Sequence, residues 1–230
     1  MKKLLVANYK MNGDKNFYLN VNKVFNKLKS EDTIVLCPPF VYMPLLNIKN
    51  KSIAVGAQDV SKEDNNKSTG QVGAKMLKDL NVEYCIVGHS ERRAIGELDE
   101  DIAQKVLMLH KQDITPIICV GEEKLGESLN VVADQVKSAL ELADNKPLVF
   151  AYEPVWAIGT GEQPSVAAIK KAYKIIKITA KHCGFNVSVL YGGSINSTNY
   201  KEIEKAGVDG FLMGGVSMKL DEFVKIVKGE

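Results

Sequence analysis

One glutamate, Glu153, stands where an apolar run ends and a glycine-rich segment begins. The run, residues 148–152, predicts a buried strand, and the segment after it holds Trp156 and the small residues Gly159 to Gly161. Burial at such a strand end disfavours the charged form of a carboxylate, so Glu153 becomes a usable base near neutral pH. The small residues indicate that the segment can move. A surface glutamate beside an ordinary turn is the alternative interpretation.

Two further polar residues that follow apolar runs, Lys10 and His89, could act with this base. Lys10 is a cation that could stabilise negative charge developing during a reaction. His89 precedes Ser90 and Glu91, a helix-start pattern that places the imidazole near the positive end of a helix dipole and disfavours the imidazolium. A neutral imidazole can donate a hydrogen bond to a carbonyl oxygen. A solvated loop lysine and a buried structural histidine are the alternative interpretations.

Glycine pairs end the last two apolar runs of the chain, Gly192-Gly193 and Gly214-Gly215. Each pair exposes backbone N–H groups near the start of the helical segment that follows, and such ends bind phosphate without net positive charge. One pair would be weak support. Two pairs on the last two strands, with Ser194 after the first, predict a phosphate site.

Short apolar runs recur along the chain, and their length of about 4–6 residues is typical of fully buried parallel strands. The eight runs are Leu4–Ala7, Thr33–Cys37, Ile53–Ala57, Tyr84–Val87, Pro116–Val120, Leu148–Tyr152, Val187–Tyr191 and Gly210–Met213. Amphipathic stretches between them predict helices over 17–29, 100–111, 130–143 and 169–181. Eight alternations without a break in composition predict an α/β protein, a single (β/α)8 barrel with one domain over residues 1–230. A doubly wound open sheet is the alternative.

A barrel would bring the chemistry together, because the carboxyl ends of all eight strands meet at one face. Lys10, His89, Glu153 and both glycine pairs follow strand ends and should therefore share one pocket. The stretch 61–73 is polar and unpatterned, which is long for a loop in a compact domain and indicates a functional loop.

Composition limits the classes of partner. The 230 residues carry 30 basic and 28 acidic side chains, a formal net charge of +2, which argues against a large nucleic-acid interface. The four cysteines lie far apart without metal-ligand spacing, and three stand in apolar runs, which favours buried thiols in a reducing compartment. No apolar run is long enough for a bilayer span or a signal peptide. The expected location is the cytoplasm, with no membrane partner.

Five segments, in this order across the whole chain, resemble the triosephosphate isomerase family. They are Asn8–Gly13, Gly88–Arg93, Tyr152–Gly161, Tyr191–Ser194 and Leu212–Gly215. The resemblance implies a TIM barrel and an enzyme of glycolysis and gluconeogenesis that interconverts dihydroxyacetone phosphate and D-glyceraldehyde 3-phosphate through an enediolate. It implies no cofactor and no metal ion.

The resemblance also implies roles for individual residues. Glu153 is expected to remove the proton next to the substrate carbonyl and to return it to the neighbouring carbon. Neutral His89 is expected to polarise the oxygens and to move a proton between them, while Lys10, assisted by Asn8, stabilises the enediolate. Glu91 is expected to orient that lysine.

Ser90 is expected to hold the base while the lid is open, and Ile158 and Leu212 to clamp it and exclude water when the lid closes. Dry closure protects an enediolate phosphate, which in water would lose its phosphate by elimination. The substrate-binding residues that the resemblance implies are Asn8, Lys10, Gly159, Ser194, Gly214, Gly215, Leu212 and Ile158.

A homodimer is also implied, in which the loop around Thr69 inserts into a partner subunit beside its catalytic lysine. Gln71 stands where the family usually has a glutamate that can pair with an arginine matching Arg93, so the dimer should depend less on salt than is usual. Two other departures are Tyr9, in place of a tryptophan, and the lid hinge 162–164, which is shorter and lacks the usual lysine.

Two other functions stay open on the sequence alone. A phosphate-binding barrel could be an aldolase that uses Lys10 as a Schiff-base nucleophile, although the lid motif after Glu153 argues against it. The chain could also be an inactive binding or scaffold module. That reading is disfavoured because every catalytic position holds the expected residue type.

Overall fold

The computed structural model describes residues 2–65, 67–158, 160 and 162–230. Eight parallel strands pair in chain order, and the last pairs with the first, so the sheet closes into a barrel. The strands are β1 Leu4–Asn8, β2 Thr33–Cys37, β3 Ile53–Ala57, β4 Tyr84–Val87, β5 Thr115–Val120, β6 Val149–Tyr152, β7 Ser188–Tyr191 and β8 Gly210–Met213. Closure confirms the predicted (β/α)8 barrel and excludes the doubly wound open sheet.

Helices connect most of the strands. In the described residues the α-helices are α1 Lys15–Phe25, α2 Ala74–Asp79, α3 Ser90–Arg93, α4 Asp99–Lys111, α5 Asn130–Leu140, α6 Val166–His182, α7 Tyr200–Glu204 and α8 Leu220–Lys228. Short 3-10 helices occupy Phe40–Leu45, Val155–Ala157 and Gly215–Met218. The four helices predicted from amphipathic spacing correspond to α1, α4, α5 and α6, and each is confirmed.

The end of α1 is where the amphipathic pattern misleads, because the helix stops at Phe25 and not at residue 29. Its start is set by Asp14, whose side chain accepts a hydrogen bond of 2.8 Å from the Phe17 N–H. After the last turn the Asn26 side chain donates to the Asn47 carbonyl at 2.8 Å. The Asn50 side chain, also before β3, donates to the Phe25 carbonyl at 3.0 Å, an oxygen that would accept an internal bond if the helix continued.

The strands are buried on both faces, as continuous apolar runs require. The inner cluster contains Val6, Val35, Cys37, Ala54, Ile86, Ile117, Cys119, Val149, Ala151, Leu190 and Leu212. A larger cluster packs the strands against the helices. Gly210 allows β8 to meet β1, because a Cβ at this position would overlap the carbonyl of Leu4.

Cys37, Cys85 and Cys119 are buried free thiols, as their apolar runs predicted, and Cys183 is exposed. Over the ranges given above, no helix has both the length and the apolar character needed to cross a bilayer. In the same part of the chain, no three His, Cys, Asp or Glu side chains are grouped as metal ligands would be.

The long loop between β3 and α2 contains the predicted dimer contact. Thr69 is exposed, and Gln71 Oε1 accepts a hydrogen bond from Ser61 Oγ of the same loop. Arg93, expected to pair with that glutamine across a dimer, is turned inward: its guanidinium binds the Asp99 carboxylate and two backbone carbonyls. These bonds use three of its five N–H groups, and the expected contact between Gln71 and Arg93 across a dimer stays a prediction.

An aromatic cluster at the end of β1 contains two tyrosines whose hydroxyl groups differ. Tyr9 packs edge-to-face against Phe17 and Tyr18, with ring centroids 5.6 Å apart in both pairs. The Tyr18 hydroxyl donates a hydrogen bond of 2.7 Å to the Asn12 carbonyl. The buried Tyr9 hydroxyl has no hydrogen-bond partner among the residues that the structure describes.

We expect Tyr9→Phe to raise the free energy of unfolding by about 1 kcal/mol, because it removes a buried hydroxyl without a partner and keeps the ring. Tyr18→Phe is the matched control and should lower that free energy by about 1 kcal/mol, because the Asn12 carbonyl loses its donor. Urea unfolding of both variants measures the two changes. An equal loss of stability in Tyr9→Phe and Tyr18→Phe would show that the Tyr9 hydroxyl also has a hydrogen-bond partner.

Candidate active site

One cavity at the carboxyl ends of the strands collects most of the residues predicted to act. Its volume is about 270 Å³. The predicted residues in its lining are Asn8, Lys10, His89, Glu153, Ile158, Ser194, Leu212, Gly214 and Gly215. Cavities of about 390 and 1090 Å³ lie elsewhere on the molecule, but neither includes any of these residues. The residue types that line this cavity, and not its volume, therefore make it the candidate active site.

Glu153 lies directly after β6 and is buried, with 2% of its surface exposed. Its Oε1 atom lies 3.1 Å from Nε2 of His89, and its Oε2 atom accepts a hydrogen bond of 2.9 Å from the backbone N–H of Ser90. Ser90 thus contacts the carboxylate through its main chain. The surface-glutamate interpretation is wrong, because this side chain points into the cavity.

Glycines directly after the neighbouring strands β5 and β7 leave room for the backbone and side chain of Glu153. A Cβ on Gly121 would overlap the carbonyl oxygen of Glu153, and a Cβ on Gly192 would lie 3.0 Å from its Cγ. The Glu153 N–H donates to the Val120 carbonyl at 2.8 Å, and the Gly192 N–H donates to the Tyr152 carbonyl, also at 2.8 Å. Glu153 is therefore held between the ends of β5 and β7.

His89 stands between β4 and α3, and both of its ring nitrogens are engaged. Nδ1 accepts a hydrogen bond of 3.2 Å from the backbone N–H of Glu91. A ring nitrogen that accepts from an amide carries no proton, so this geometry fits the neutral tautomer with its proton on Nε2. That proton points at Glu153, and the same N–H can donate to a substrate oxygen once the carboxylate moves away.

Lys10 follows β1 in the left-handed backbone region, with a φ of 50° that is unusual for a residue other than glycine. Two side chains stabilise this conformation: Asn8 Oδ1 accepts from the Lys10 N–H at 3.0 Å, and Gln58 Nε2 donates to its carbonyl at 2.8 Å. A strained backbone that is held by several partners is typical of functional sites. No sequence pattern pointed to Gln58.

The side chain of Lys10 is oriented by Glu91, with Nζ 2.7 Å from Oε1. Partial burial raises the pKa of Glu91, but the hydrogen bond and charge of Lys10 outweigh burial and hold the pKa below its usual value. The Glu91 carboxylate therefore stays ionised at neutral pH. It lies outside the lining of the cavity and acts on it through Lys10.

The glycine-rich ends of β7 and β8 form the other side of the cavity. The 3-10 helix Gly215–Met218 starts there, and amides at a helix start bind anions. A Cβ on Gly215 would meet no atom of the described residues within 4 Å, so its surroundings are open. One on Gly214 would lie 3.2 Å from Lys10 Cε. Gly159, which was predicted to bind phosphate, lies outside the described residues.

The segment expected to form a lid begins with the 3-10 helix Val155–Ala157, which a buried glutamate anchors. Trp156 Nε1 and the Tyr152 hydroxyl both donate to Glu122 Oε1, at 2.9 and 2.8 Å. Ser194 Oγ donates to the last carbonyl of this short helix at 3.4 Å, which connects the glycine-rich end of the cavity to the segment after Glu153. Sequence reasoning missed Glu122, because a glutamate after a strand usually has a solvated side chain.

The sequence is similar to known proteins along nearly its whole length. A family model described as "Triosephosphate isomerase" matches residues 3–230. Among curated proteins, the triosephosphate isomerase of Mesomycoplasma hyopneumoniae is 35% identical and that of Gloeothece citriformis is 40% identical, and each alignment covers 99% of both chains. The triosephosphate isomerase of Colwellia psychrerythraea is 37% identical over 96% of this chain and 94% of its own.

Proposed function

The chain belongs to the triosephosphate isomerase family and is an isomerase of that type, and we propose that the cavity around Glu153 is where it interconverts dihydroxyacetone phosphate and D-glyceraldehyde 3-phosphate. The observation that carries this proposal is the contact of a buried carboxylate with an imidazole, Glu153 Oε1 to His89 Nε2 at 3.1 Å. Both groups share the cavity with Lys10 and the glycine-rich end of β8. One small site thus offers a base, a hydrogen-bond donor, a cation and an anion cradle.

The proposed reaction begins with an exchange of hydrogen bonds at Glu153. Its carboxylate accepts hydrogen bonds from His89 Nε2–H and from the Ser90 amide. When a substrate oxygen accepts the hydrogen bond from His89 instead, the carboxylate is free to turn towards the substrate carbon. Glu153 then removes the proton from the carbon next to the carbonyl, and the electron pair left behind forms the enediolate. The proton returns to the neighbouring carbon, while His89 moves a proton between the two oxygens. The aldehyde and ketone forms of the triose phosphate are thereby interconverted.

Positive charge for the enediolate comes from Lys10 in this proposal. Glu91 orients its ammonium group, and Asn8 holds its backbone N–H. Fixed charges aimed at the developing negative charge supply one of the largest contributions to catalysis in a water-excluded site. Lys10 and His89 carry the electrostatic work, so the proposed mechanism uses no metal ion or cofactor.

Binding and closure complete the proposal. The residues assigned to the phosphate group are Gly159, Ser194, Gly214 and Gly215. Ile158 and Leu212 line the cavity and would cover the base when the lid closes. Their apolar side chains exclude water, which strengthens the charge interactions and protects the enediolate from loss of phosphate.

A coupled assay that starts from glyceraldehyde 3-phosphate and detects dihydroxyacetone phosphate tests this function. Product formation that depends on Glu153 supports the proposal. A folded protein that forms no product would overturn it and leave a binding module. Trapping of the substrate on Lys10 by borohydride would indicate the aldolase alternative.

We also propose a homodimer that forms through the loop around Thr69. This residue is exposed, and Ile95, with 72% of its surface exposed, lies beside the same loop and lines a cavity with Phe40 and Gln71. Burial of such an apolar side chain stabilises association. The neutral Gln71 adds no ion pair, so the contact is expected to resist salt.

Sedimentation velocity should therefore detect a dimer whose dissociation changes little between about 0.05 and 0.5 M salt, a range over which exposed ion pairs become screened. Thr69→Arg should dissociate it, because a charge would enter the contact. Dissociation that rises steeply with ionic strength would contradict the salt expectation. A monomer under all conditions would overturn the dimer itself.

A cytoplasmic location is a further proposal. Three cysteines are buried free thiols, which suits a reducing compartment. Cell fractionation tests the location, and recovery in a secreted fraction would contradict it.

A further inference from the structure

The peptide that leads into His89 is held on both sides by charged side chains that the proposed mechanism does not use. Gly88 is the residue before this histidine. Its carbonyl oxygen accepts a hydrogen bond of 2.9 Å from Arg93 Nε, and its N–H donates one of 3.2 Å to Glu97 Oε2. Hydrogen bonds to charged groups are stronger than those between neutral groups, so both restrain the peptide firmly.

Arg93 also connects this peptide to the next strand. Its Nη2 donates to the Cys119 carbonyl in β5 at 3.2 Å, and its Nη1 donates to Asp99 Oδ1 at the start of α4 at 2.6 Å. Burial raises the pKa of the Cys119 thiol, and the neighbouring Glu153 raises it further. The Arg93 guanidinium thus connects the end of β4, just before His89, to β5, where the side chain of Cys119 lies beside Glu153.

Glu97 is itself fixed in place. Only 4% of its side chain is exposed, and it forms an ion pair with Lys105, whose Nζ also lies 2.6 Å from Asp59 Oδ1. Arg92 Nε lies 3.1 Å from the other oxygen of Asp59. A buried carboxylate needs such partners to remain charged. This network holds Glu97 Oε2 where the Gly88 N–H can reach it.

Without Arg93 and Glu97 as hydrogen-bond partners, the backbone at Gly88 would be free to rotate. Its φ of 66° lies in the region that favours glycine, and a Cβ at this position would lie 2.7 Å from Ile102 Cδ1. Glycine is therefore required there, and its freedom lets the next residue swing. Any rotation of this peptide would move the imidazole of His89 directly.

We propose that Arg93 and Glu97 are positioning residues that fix the Gly88 peptide and so hold the His89 imidazole in its reactive position. The inference rests on the roles proposed above for His89 and Glu153. Neither Arg93 nor Glu97 lines the cavity, so each acts through the histidine. Their effect is therefore on the rate of the chemical step and not on substrate binding.

Arg93→Lys keeps the positive charge but offers one nitrogen where arginine offers three, so it cannot hold both carbonyls and Asp99. We expect kcat to fall about 10- to 100-fold with KM changed less than about twofold, because a misplacement of about 1 Å can lower a rate about 100-fold. Arg93→Ala should lose more activity. Guanidinium ion added to Arg93→Ala should restore part of the lost kcat.

Glu97→Gln has the same size but only one acceptor oxygen, so either the Gly88 N–H or Lys105 loses its partner. It should show a similar fall in kcat at unchanged KM. The NMR signal of the His89 Nε2–H group provides a measurement that does not depend on activity, and it should shift in both variants.

Lys177→Met is the matched control, because Lys177 also holds a carbonyl and a carboxylate, but away from the cavity. Its Nζ donates to the Val187 carbonyl at 2.5 Å and lies 2.9 Å from Asp209 Oδ2, near the amino ends of β7 and β8. This variant should lose thermal stability and keep the kcat of the wild type.

Wild-type kcat and an unmoved His89 signal in folded Arg93→Lys and Glu97→Gln would overturn the inference. A fall in kcat of equal size in Lys177→Met would overturn it as well, because the effect would then follow general destabilisation. If the wild-type chain did not isomerise triose phosphates, the proposed function would fail instead. The His89 signal would still decide the positioning role.

Discussion

Replacing Glu153 by aspartate is expected to lower kcat about 100-fold while KM changes little, because a misplacement of about 1 Å can lower a rate by that factor. The shorter side chain withdraws the carboxylate by about one carbon–carbon bond, roughly 1.5 Å. Substrate binding should survive, since the phosphate group is assigned to Gly214 and Gly215 on the other side of the cavity. Steady-state kinetics measures both constants.

Two further variants make this test specific. Glu153→Gln keeps the length of the side chain and can still accept from the Ser90 amide, but it is not a base, so kcat should fall about 100- to 10,000-fold. Glu204→Asp loses the same methylene from a carboxylate that pairs with Lys3 outside the cavity, and it should keep normal kinetics. An unchanged turnover number in Glu153→Asp would reject Glu153 as the base.

Lys10→Met is expected to lower kcat by at least about 100- to 1,000-fold, the loss that follows removal of one preorganised group beside a developing negative charge. Methionine is unbranched and of similar length, so it can occupy the space of the lysine chain without a charge. The Gln58 and Asn8 contacts are with the backbone of Lys10 and should persist in the variant. Activity is measured in the same coupled assay.

The same variant should unfold within about 2–4 °C of the wild type, because an exposed ion pair contributes about 0–1 kcal/mol to a chain of this size. The Lys10 and Glu91 side chains are 27% and 59% exposed. Lys62→Met is the control for loss of a surface cation, since Lys62 pairs with Asp101 outside the cavity. Differential scanning calorimetry compares all three proteins. Collapse of folding in Lys10→Met alone would mean that Lys10 is structural.

The order of strands and helices could be predicted because each signal is local. Barrel strands are buried on both faces, so they appear as continuous apolar runs, and α4 to α6 show helical spacing along one apolar side. The end of α1 could not be placed in this way. There the Phe25 carbonyl accepts from the Asn50 side chain, a contact that forms only after the chain has folded back.

The candidate reacting groups could also be named before the structure was known. Lys10, His89 and Glu153 each combine a chemically active residue type with a position directly after an apolar run, and both properties can be read locally. The barrel then requires that such positions share one face. Their distances, such as the 3.1 Å between Glu153 and His89, depend on how the strand ends pack together.

Only the tertiary structure showed that Gln58, Glu97 and Glu122 contact Lys10, Gly88 and Trp156, respectively. Gln58 binds the Lys10 carbonyl from 48 positions away, and Glu122 binds Trp156 from 34 positions away. Periodicity reports which face of an element is buried, but it carries no information about which distant polar groups meet. The amino-acid order thus determined the barrel and the identity of its candidate reacting groups. Packing of the strand ends decided which other side chains orient them, because those hydrogen bonds exist only between segments brought together by the closed sheet.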